Sequence, residues 1–294
     1  MPRNERAQWA RLDIDGVALL SDLAAGMSLA RAVQFDQRAP LRCFGAAAAR
    51  SVPLVVDGFS GSVAHGAGCN CSVLTLTPHA NGTHTEGVGH LTAAPVDAYR
   101  VIPQRLLVAV LMTVAPQLAG ESLESTLPLP AADDRLVTRA ALTQAWPAPL
   151  SERLAPRAAV IRTLPNDAAK FADTAGGAGP DPGAAAAASV RAPFLSQQAA
   201  AELVARGIGH LVLDLPSADR AEDGGELTAH RLFFGLPRGS ASLEQAGRRD
   251  STITELAYID DAIADGWYLL SLQCPAIAGD AVPSRPVLYP LRAA

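Results

Sequence analysis

Short apolar runs bounded by glycine or proline recur along this chain, and they constrain its fold more than any other feature. Residues 159–163, 210–215 and 266–272 are rich in aliphatic and aromatic side chains and have the length of buried strands. The run at 106–112 fits a buried strand or a buried helix. Many strand-like runs together with a few helical segments predict one compact mixed α/β domain over residues 1–294.

Two segments have the features of helices. Residues 196–206 place apolar side chains on one face, Ser196 can cap the first turn, and Gly207 would end the helix. Residues 256–263 also look helical. Residues 173–189 are so rich in alanine, glycine and proline that they indicate a flexible surface loop, and not a linker between domains.

The charge pattern argues against binding to nucleic acid. The chain carries 24 lysines and arginines against 29 aspartates and glutamates, a formal net charge of −5. Lys170 is its one lysine, and the arginines are scattered along the sequence. Nucleic-acid binding needs clustered cations that displace the counterions of phosphates.

With 49 % hydrophobic and 18 % charged residues, the chain has the composition of a globular protein.

The N-terminus and the cysteines are both typical of a cytoplasmic protein. Residues 1–10 are polar and lack the apolar core of a secretion signal, and no stretch reaches the roughly 20 apolar residues of a membrane helix. The four cysteines form no pair of C-x-x-C motifs, which argues against a zinc ribbon. We therefore expect a cytoplasmic protein without a membrane segment.

Residues 78–90, PHANGTHTEGVGH, carry the densest group of chemically active side chains. Three of the six histidines, His79, His84 and His90, fall there together with Glu86. Imidazole nitrogens and carboxylate oxygens are ligands that zinc, manganese and iron take in proteins. The glycines between them let the backbone bend and bring the side chains round one point. A lone loop histidine is usually only solvated, but this grouping predicts a metal site.

The motif resembles the signature of a known family. Residues 82–86 (GTHTE) followed by His90 are similar to the H-x-G-T-H-x-D-x-x-x-H signature of the cyclase family, whose members include bacterial kynurenine formamidase and isatin hydrolase. The order of later residues is similar too: a strand at 209–217 with an aspartate and Pro-Ser, then His230, then Glu255. The resemblance covers most of the chain.

The resemblance implies a β/β/α swivelling-type fold with a central β-barrel-like sheet and peripheral helices. It also implies a metal centre in which His84 is a ligand and Glu86 takes the place of a bridging aspartate. His90 would donate and accept the proton of the reaction, His230 would bind a second metal, and Glu255 would be shared by both. The expected ligands are His79, His84, Glu86, His90, His230 and Glu255. The expected catalytic residues are His90 and Glu255.

Two positions depart from the signature. His79 lies three residues before Gly82, whereas the family histidine lies two before the glycine, so Ala80 occupies the expected position. Glu86 replaces the aspartate and is longer by one methylene. A bulge could return His79 to the metal, or the site could be rearranged so that the longer Glu86 reaches a displaced ion.

The resemblance implies a hydrolase that cleaves an amide bond with water activated by one or two divalent metals, zinc or manganese. The small-molecule substrate would be an arylformamide, as in tryptophan catabolism, or a cyclic amide such as a lactam. Family members are commonly homo-oligomers. Two alternatives remain: a single-metal hydrolase of cyclic imides or lactones, and a catalytically silent relative that only binds a small metabolite.

Other polar residues have simpler expected roles. Thr83 and Asn81 could orient the ligand histidines through hydrogen bonds. Asp219 follows a Pro-Ser pair and is expected to shape a turn. His65 and His210 lie outside the motif and are expected to be structural.

Overall fold

The computed structural model describes residues 7–35, 41–166 and 192–294, and the loop expected at 173–189 lies outside these ranges. The described strands are β1 Trp9–Ile14, β2 Val17–Asp22, β3 Met27–Ser28, β4 Arg50–Pro53, β5 Val55–Val56, β6 Phe59–Ser60, β7 Ser72–Thr75, β8 His84–Glu86, β9 Leu107–Val114, β10 Gln117–Leu118, β11 Arg135–Val137, β12 Ala158–Thr163, β13 Phe194–Leu195, β14 His210–Leu213, β15 Thr252–Glu255, β16 Gly266–Gln273, β17 Ala281–Pro283 and β18 Arg285–Ala293. The described α-helices are α1 Pro78–Asn81, α2 Ala98–Val101, α3 Arg139–Ala145, α4 Gln197–Ala205 and α5 Thr228–Phe234.

Four parallel strands, β9, β12, β14 and β15, form the centre of the main sheet. The strands predicted at 159–163, 210–215 and 266–272 are confirmed as β12, β14 and β16. The run at 106–112, which fits a strand or a helix, is strand β9. These apolar runs therefore supply the centre of the fold, and the mixed α/β architecture is confirmed.

The main sheet has eleven strands and is open. Its order is β1-β2-β18-β16-β9-β12-β14-β15-β8-β17, with β3 beside β18. A barrel requires the two end strands to pair, but β1 and β17 do not pair with each other within the described ranges. The central β-barrel-like sheet is therefore wrong for the described chain, in which seven strands separate the β1–β2 hairpin from β17. The swivelling arrangement stays a prediction.

The central strands are buried on both faces of the sheet. In β9, the even-numbered side chains from Val108 to Val114 belong to a hydrophobic core shared with α3, α4 and α5. The odd-numbered side chains from Leu107 to Leu111 belong to a second core shared with β16, β18 and the segment 257–263. Side chains alternate along a strand, so burial on both faces explains the uninterrupted apolar runs. No helix among the described residues is long and apolar enough to cross a membrane.

Helix α4 begins where Ser196 predicts. Ser196 Oγ accepts a hydrogen bond from Ala199 N at 2.9 Å, which satisfies one of the free N–H groups of the first turn. Gly207 follows the last turn with a φ of +78°, a conformation that favours glycine. The helix predicted over 196–206 and its cap are confirmed.

The helix predicted over 256–263 is wrong. Leu256 has a φ of 55°, which a right-handed helix does not allow. The backbone N–H groups of Leu256 and Ala257 donate to the carbonyls of Leu215 and Leu213 at 2.8 and 3.0 Å. This segment continues the pairing between β15 and β14 beyond their ends, so tertiary hydrogen bonds override its local helical propensity.

Candidate metal centre

Strand β8 brings the histidine-rich motif into the sheet. It carries His84 and Glu86, and on one side it pairs with β15, where Glu255 lies opposite His84. On its other side it pairs with β17, where Ala281 lies opposite Glu86. The sheet register therefore places late residues of the chain beside the motif.

The deepest part of the cluster contains two histidines and two glutamates, His84, Glu86, His230 and Glu255, each at most 4 % exposed. His230 Nε2 lies 2.8 Å from Glu86 Oε1 and 3.4 Å from Glu255 Oε1. His84 Nε2 lies 3.5 Å from Glu255 Oε2. Ionisable groups this deeply buried must be paired or must bind a metal.

Both buried histidines turn their Nε2 atoms toward the carboxylates. His230 Nδ1 lies 2.6 Å from Asp219 Oδ2, and His84 Nδ1 lies 3.1 Å from the carbonyl oxygen of Gly82. A carboxylate and a carbonyl can only accept, so each Nδ1 carries the donated hydrogen and each Nε2 is left to bind a ligand.

Several atoms at this point have no hydrogen-bond partner. In the described part of the chain, they are His84 Nε2, His230 Nε2 and both carboxylate oxygens of Glu86. These nitrogen and oxygen atoms lie close together, but the angles at donor and acceptor lie outside the range of a hydrogen bond. Buried polar atoms are almost always satisfied, and a divalent cation is the group that would satisfy a set of lone pairs pointing at one place.

His79, His90 and Asp280 form the solvent-facing mouth of the cluster. His79 Nδ1 lies 3.1 Å from Glu86 Oε2, and its Nε2 lies 2.8 Å from Asp280 Oδ2. His90 Nδ1 lies 3.3 Å from the same Asp280 oxygen. The side chains of His79 and His90 are 25 % and 27 % exposed, so a small molecule can reach them from solvent.

A helical turn, and not a bulge, brings His79 into the cluster. His79 lies in α1, which ends at Gly82, and its ring centroid lies 5.1 Å from that of His84 and 4.4 Å from that of His90. A Cβ atom at Gly82 would come within 2.9 Å of Val33 Cγ2. The close approach of residues 31–33 therefore requires glycine between α1 and β8.

The carboxylates control the protonation of the metal-free cluster. Burial alone would lower the pKa of His79, but the hydrogen bond to Asp280 and the negative charges of Asp280 and Glu86 outweigh burial and raise the pKa to about 10. Burial would also lower the pKa of His230, yet the neighbouring carboxylates raise it well above its ordinary value. Burial acts to raise the pKa of Glu86, but the charge of His230 holds it well below its ordinary range. Protons on the histidines thus balance the carboxylates, and a metal would replace those protons.

The structure brings all the predicted ligand residues into one cluster: His79, His84, Glu86, His90, His230 and Glu255. Their roles as ligands stay predictions. Two further residues join them. Asp219, expected only to shape a turn, holds His230, and Asp280, which no motif indicates, bridges His79 and His90.

The residues expected to orient the histidines act on the backbone instead. Thr83 Oγ1 donates to the carbonyl of Leu256 at 2.6 Å, and Asn81 bonds only to backbone groups, among the contacts of the described chain. His65 and His210 bond to nearby hydroxyl groups away from the cluster, as expected for structural histidines.

Three overlapping groups of residues could each hold a metal ion, because one ligand atom of each member lies within 4.8 Å of the others. The groups are His79, His84 and Glu86; Glu86, His90 and His230; and His79, His90 and Asp280. Imidazole nitrogen combined with carboxylate oxygen suits zinc or manganese. Since the groups share Glu86, His79 and His90, they form one candidate site and not three separate ones.

The fold is thus a mixed α/β domain with an open sheet, and its candidate metal centre is the histidine–carboxylate cluster beside strand β8. The Cyclase family model matches residues 22–220, more than half of the chain, and the chain belongs to this family. The match contains His79, His84, Glu86, His90 and Asp219, whereas His230, Glu255 and Asp280 lie beyond it.

Several solved structures share this fold over most of their length. A potential metal-dependent hydrolase with cyclase activity has a TM-score of 0.53 at 13 % identity, with 90 % of this chain and 96 % of that chain covered. A predicted metal-dependent hydrolase from Bacillus stearothermophilus has a TM-score of 0.52 at 12 % identity, with coverage of 90 % and 97 %. Isatin hydrolase A from Labrenzia aggregata has a TM-score of 0.51 at 14 % identity, with coverage of 91 % and 95 %. At such identities the likeness establishes the fold alone. No curated protein matches the chain.

Proposed function

We propose that this chain is a metal-dependent hydrolase whose histidine–carboxylate cluster holds one or two divalent ions, zinc or manganese. One observation carries the proposal. His84 Nε2, His230 Nε2 and both oxygens of Glu86 are buried together without hydrogen-bond partners in the described part of the chain. Leaving such atoms unsatisfied costs roughly 1–3 kcal/mol each, whereas one bound cation would satisfy them together.

The residues proposed to hold the metal are His79, His84, Glu86, His230 and Glu255. When bound, a divalent metal lowers the pKa of water toward ~7 and polarises a carbonyl group. Glu86 contacts His79 with one carboxylate oxygen and His230 with the other, so it would be the carboxylate shared by the ions if two are bound. Glu255 Oε1 accepts a hydrogen bond from Ala218 N at 2.7 Å, which fixes its carboxylate toward the cluster.

His90 is the residue proposed to move the proton. Its ring lies at the mouth, where substrate can reach it, and its Nδ1 faces Asp280 Oδ2 at 3.3 Å. With the hydrogen on Nδ1, the Nε2 lone pair is free to accept a proton from the attacking water and to pass it to the leaving nitrogen. Asp280 would hold the ring in this orientation.

The proposed substrate is a small molecule with an amide bond, either an arylformamide or a cyclic amide. Two observations support this class. Residues 82–86 and His90 are similar to the motif of amide-cleaving members of the family, and isatin hydrolases are among the solved structures with this fold. A nitrogen leaving group also needs a proton donor, and His90 lies where one is required.

The test is hydrolysis of a substrate panel by metal-stripped protein before and after addition of zinc or manganese. Arylformamides, cyclic amides, cyclic imides and lactones form the panel. We expect amide cleavage only after metal addition, lost in His84→Ala and retained in His65→Ala, since His65 lies outside the cluster. Cleavage of lactones alone would favour the ester-cleaving alternative. Bound metal without turnover of any member would favour a silent relative that binds a metabolite.

A further inference from the structure

A cavity of ≈ 570 Å³ lies at the end of the sheet opposite the candidate metal centre. Its lining includes Arg157 directly before β12, His210 at the start of β14 and Ser251 directly before β15. Because these strands are parallel, their first residues share one edge of the sheet. Glu255 of the metal centre is the last residue of β15. One short strand, about 10 Å long, thus separates the two sites.

Positive charge is concentrated in this cavity although the chain as a whole is acidic. It is lined by four arginines, Arg105, Arg157, Arg248 and Arg249, and by two aspartates, Asp15 and Asp250. We call it the arginine pocket. In the ranges that the structure describes, Arg105 and Arg157 are exposed and form no ion pair. Two cations of the pocket are therefore available to a ligand.

A third cation is already held in place. Arg248 is half-buried, donates from Nη2 to the carbonyl of Ile208 and from Nε to Ser251 Oγ at 3.4 Å, and lies 5.0 Å above the ring of Phe233. These contacts fix the guanidinium before any ligand arrives, which lowers the entropy cost of binding.

The wall of the pocket contains a histidine, His210, whose pKa is lowered in part by the charge of the arginines. His210 is 8 % exposed, and its Nδ1 lies 3.0 Å from Thr252 Oγ1. Burial, and then the charges of Arg105 and Arg248, lower the pKa of His210 to about 4. The ring is therefore neutral at neutral pH and adds no charge to the pocket, and its pKa responds to the charges of the two arginines beside it.

We infer that the arginine pocket binds a small dianion of the phosphate class. Four arginines against two aspartates leave two positive charges, which a phosphate dianion would neutralise. Guanidinium groups match the oxygens of phosphate in bidentate geometry. The volume lies within the range of small-molecule sites. The pocket shares no residue with the metal centre, so the inference does not depend on the proposed hydrolase activity.

The test is an NMR titration of His210, assigned with His210→Gln, in the metal-loaded full chain. Inorganic phosphate and pyrophosphate are titrated against chloride at constant ionic strength. We expect saturable shifts of the His210 resonance and a rise of its pKa by about one unit or more when the pocket is filled. The double variant Arg105→Gln/Arg157→Gln should weaken binding at least about tenfold, because it removes two charged hydrogen-bond donors.

Matched variants separate this site from its alternatives. Arg50→Gln removes one exposed arginine on strand β4, away from the pocket, and should leave phosphate binding unchanged. Shifts that never saturate would overturn the inference, and so would binding that survives the double variant. Binding lost in His84→Ala but kept in the double variant would place the anion at the metal centre and would also overturn it. Circular dichroism checks that Arg50→Gln and the double variant, whose changed side chains are exposed, remain folded.

Discussion

His230 donates its Nδ1 hydrogen to Asp219 at 2.6 Å, and this bond decides which nitrogen of the ring faces the candidate metal centre. Asp219 also accepts the backbone N–H groups of Ala229 and His230 at 2.7 and 3.0 Å, which fixes the start of helix α5. One carboxylate thus sets the position of the helix, the tautomer of its histidine and the direction of Nε2.

Replacing Asp219 by alanine should weaken metal binding by about ten- to a hundredfold, because the bond that orients a ligand histidine is lost. It should also lower the free energy of unfolding by about 1–3 kcal/mol, since two backbone N–H groups lose their acceptor. Competition with a chelator and thermal unfolding measure the two effects. Asp223→Ala is the control, because Asp223 also accepts two backbone N–H groups nearby but, among the described residues, bonds to no histidine. Equal loss of metal affinity in both variants would show that Asp219 acts only through the fold.

Replacing Asp280 by alanine should reduce kcat by about tenfold or more, because His90 would lose the acceptor that orients its ring. The variant should still bind metal through the buried residues below it. Steady-state kinetics on the best substrate, with metal content in parallel, give the measurement. Asp97→Ala serves as the control, since Asp97 bonds to the neighbouring Gly279 N but not to a histidine among the described residues. Unchanged kcat in Asp280→Ala would remove Asp280 from the proposed mechanism.

Metal affinity should rise with pH from about 6.5 to 8.5 and should not level off near the ordinary pKa of histidine. His79 has a pKa of about 10 in the metal-free chain, so it carries a proton throughout this range. Only the neutral ring can bind a metal, and each displaced proton makes affinity rise up to about tenfold per pH unit. Chelator-buffered titrations at several pH values test this, with His79→Ala expected to show a shallower slope. A flat affinity above pH 7 would contradict it.

Folding stability should fall between about pH 6.5 and pH 4 because of His210. Its pKa is about 4 in the folded chain but 6.5 when unfolded, so in this window the unfolded state binds more protons and is stabilised relative to the folded state. The full effect is about 3 kcal/mol. His210→Gln should lose this part of the pH dependence, whereas His65→Gln, at an exposed histidine, should keep it. Denaturant unfolding at pH 7 and pH 4.5 measures the difference, and identical pH dependence in His210→Gln and wild type would contradict the assignment.

Local sequence reveals those parts of the centre whose residues lie close together in the chain. His84, Glu86 and His90 fall within one glycine-rich motif, so their grouping is visible without a structure. Asp280 joins them only because β17 pairs with β8, and a pairing across so long a stretch of sequence leaves no local pattern.

The remaining differences have the same physical origin. Residues 256–263 have helical propensity, but their backbone is committed to neighbouring strands. The arginines of the arginine pocket look scattered in sequence and meet only where parallel strands begin. The cytoplasmic location and the homo-oligomer stay predictions, because both depend on more than one folded chain.

Metal content tests the central claim most directly. Elemental analysis of untagged protein, beside His84→Ala and His65→Ala, gives the number of ions per chain. We predict about one or two zinc or manganese ions in the wild type and in His65→Ala, and loss of metal in His84→Ala, whose buried Nε2 faces Glu255 at 3.5 Å. Wild-type protein that holds no metal, even after reconstitution with either ion, would contradict the proposed function.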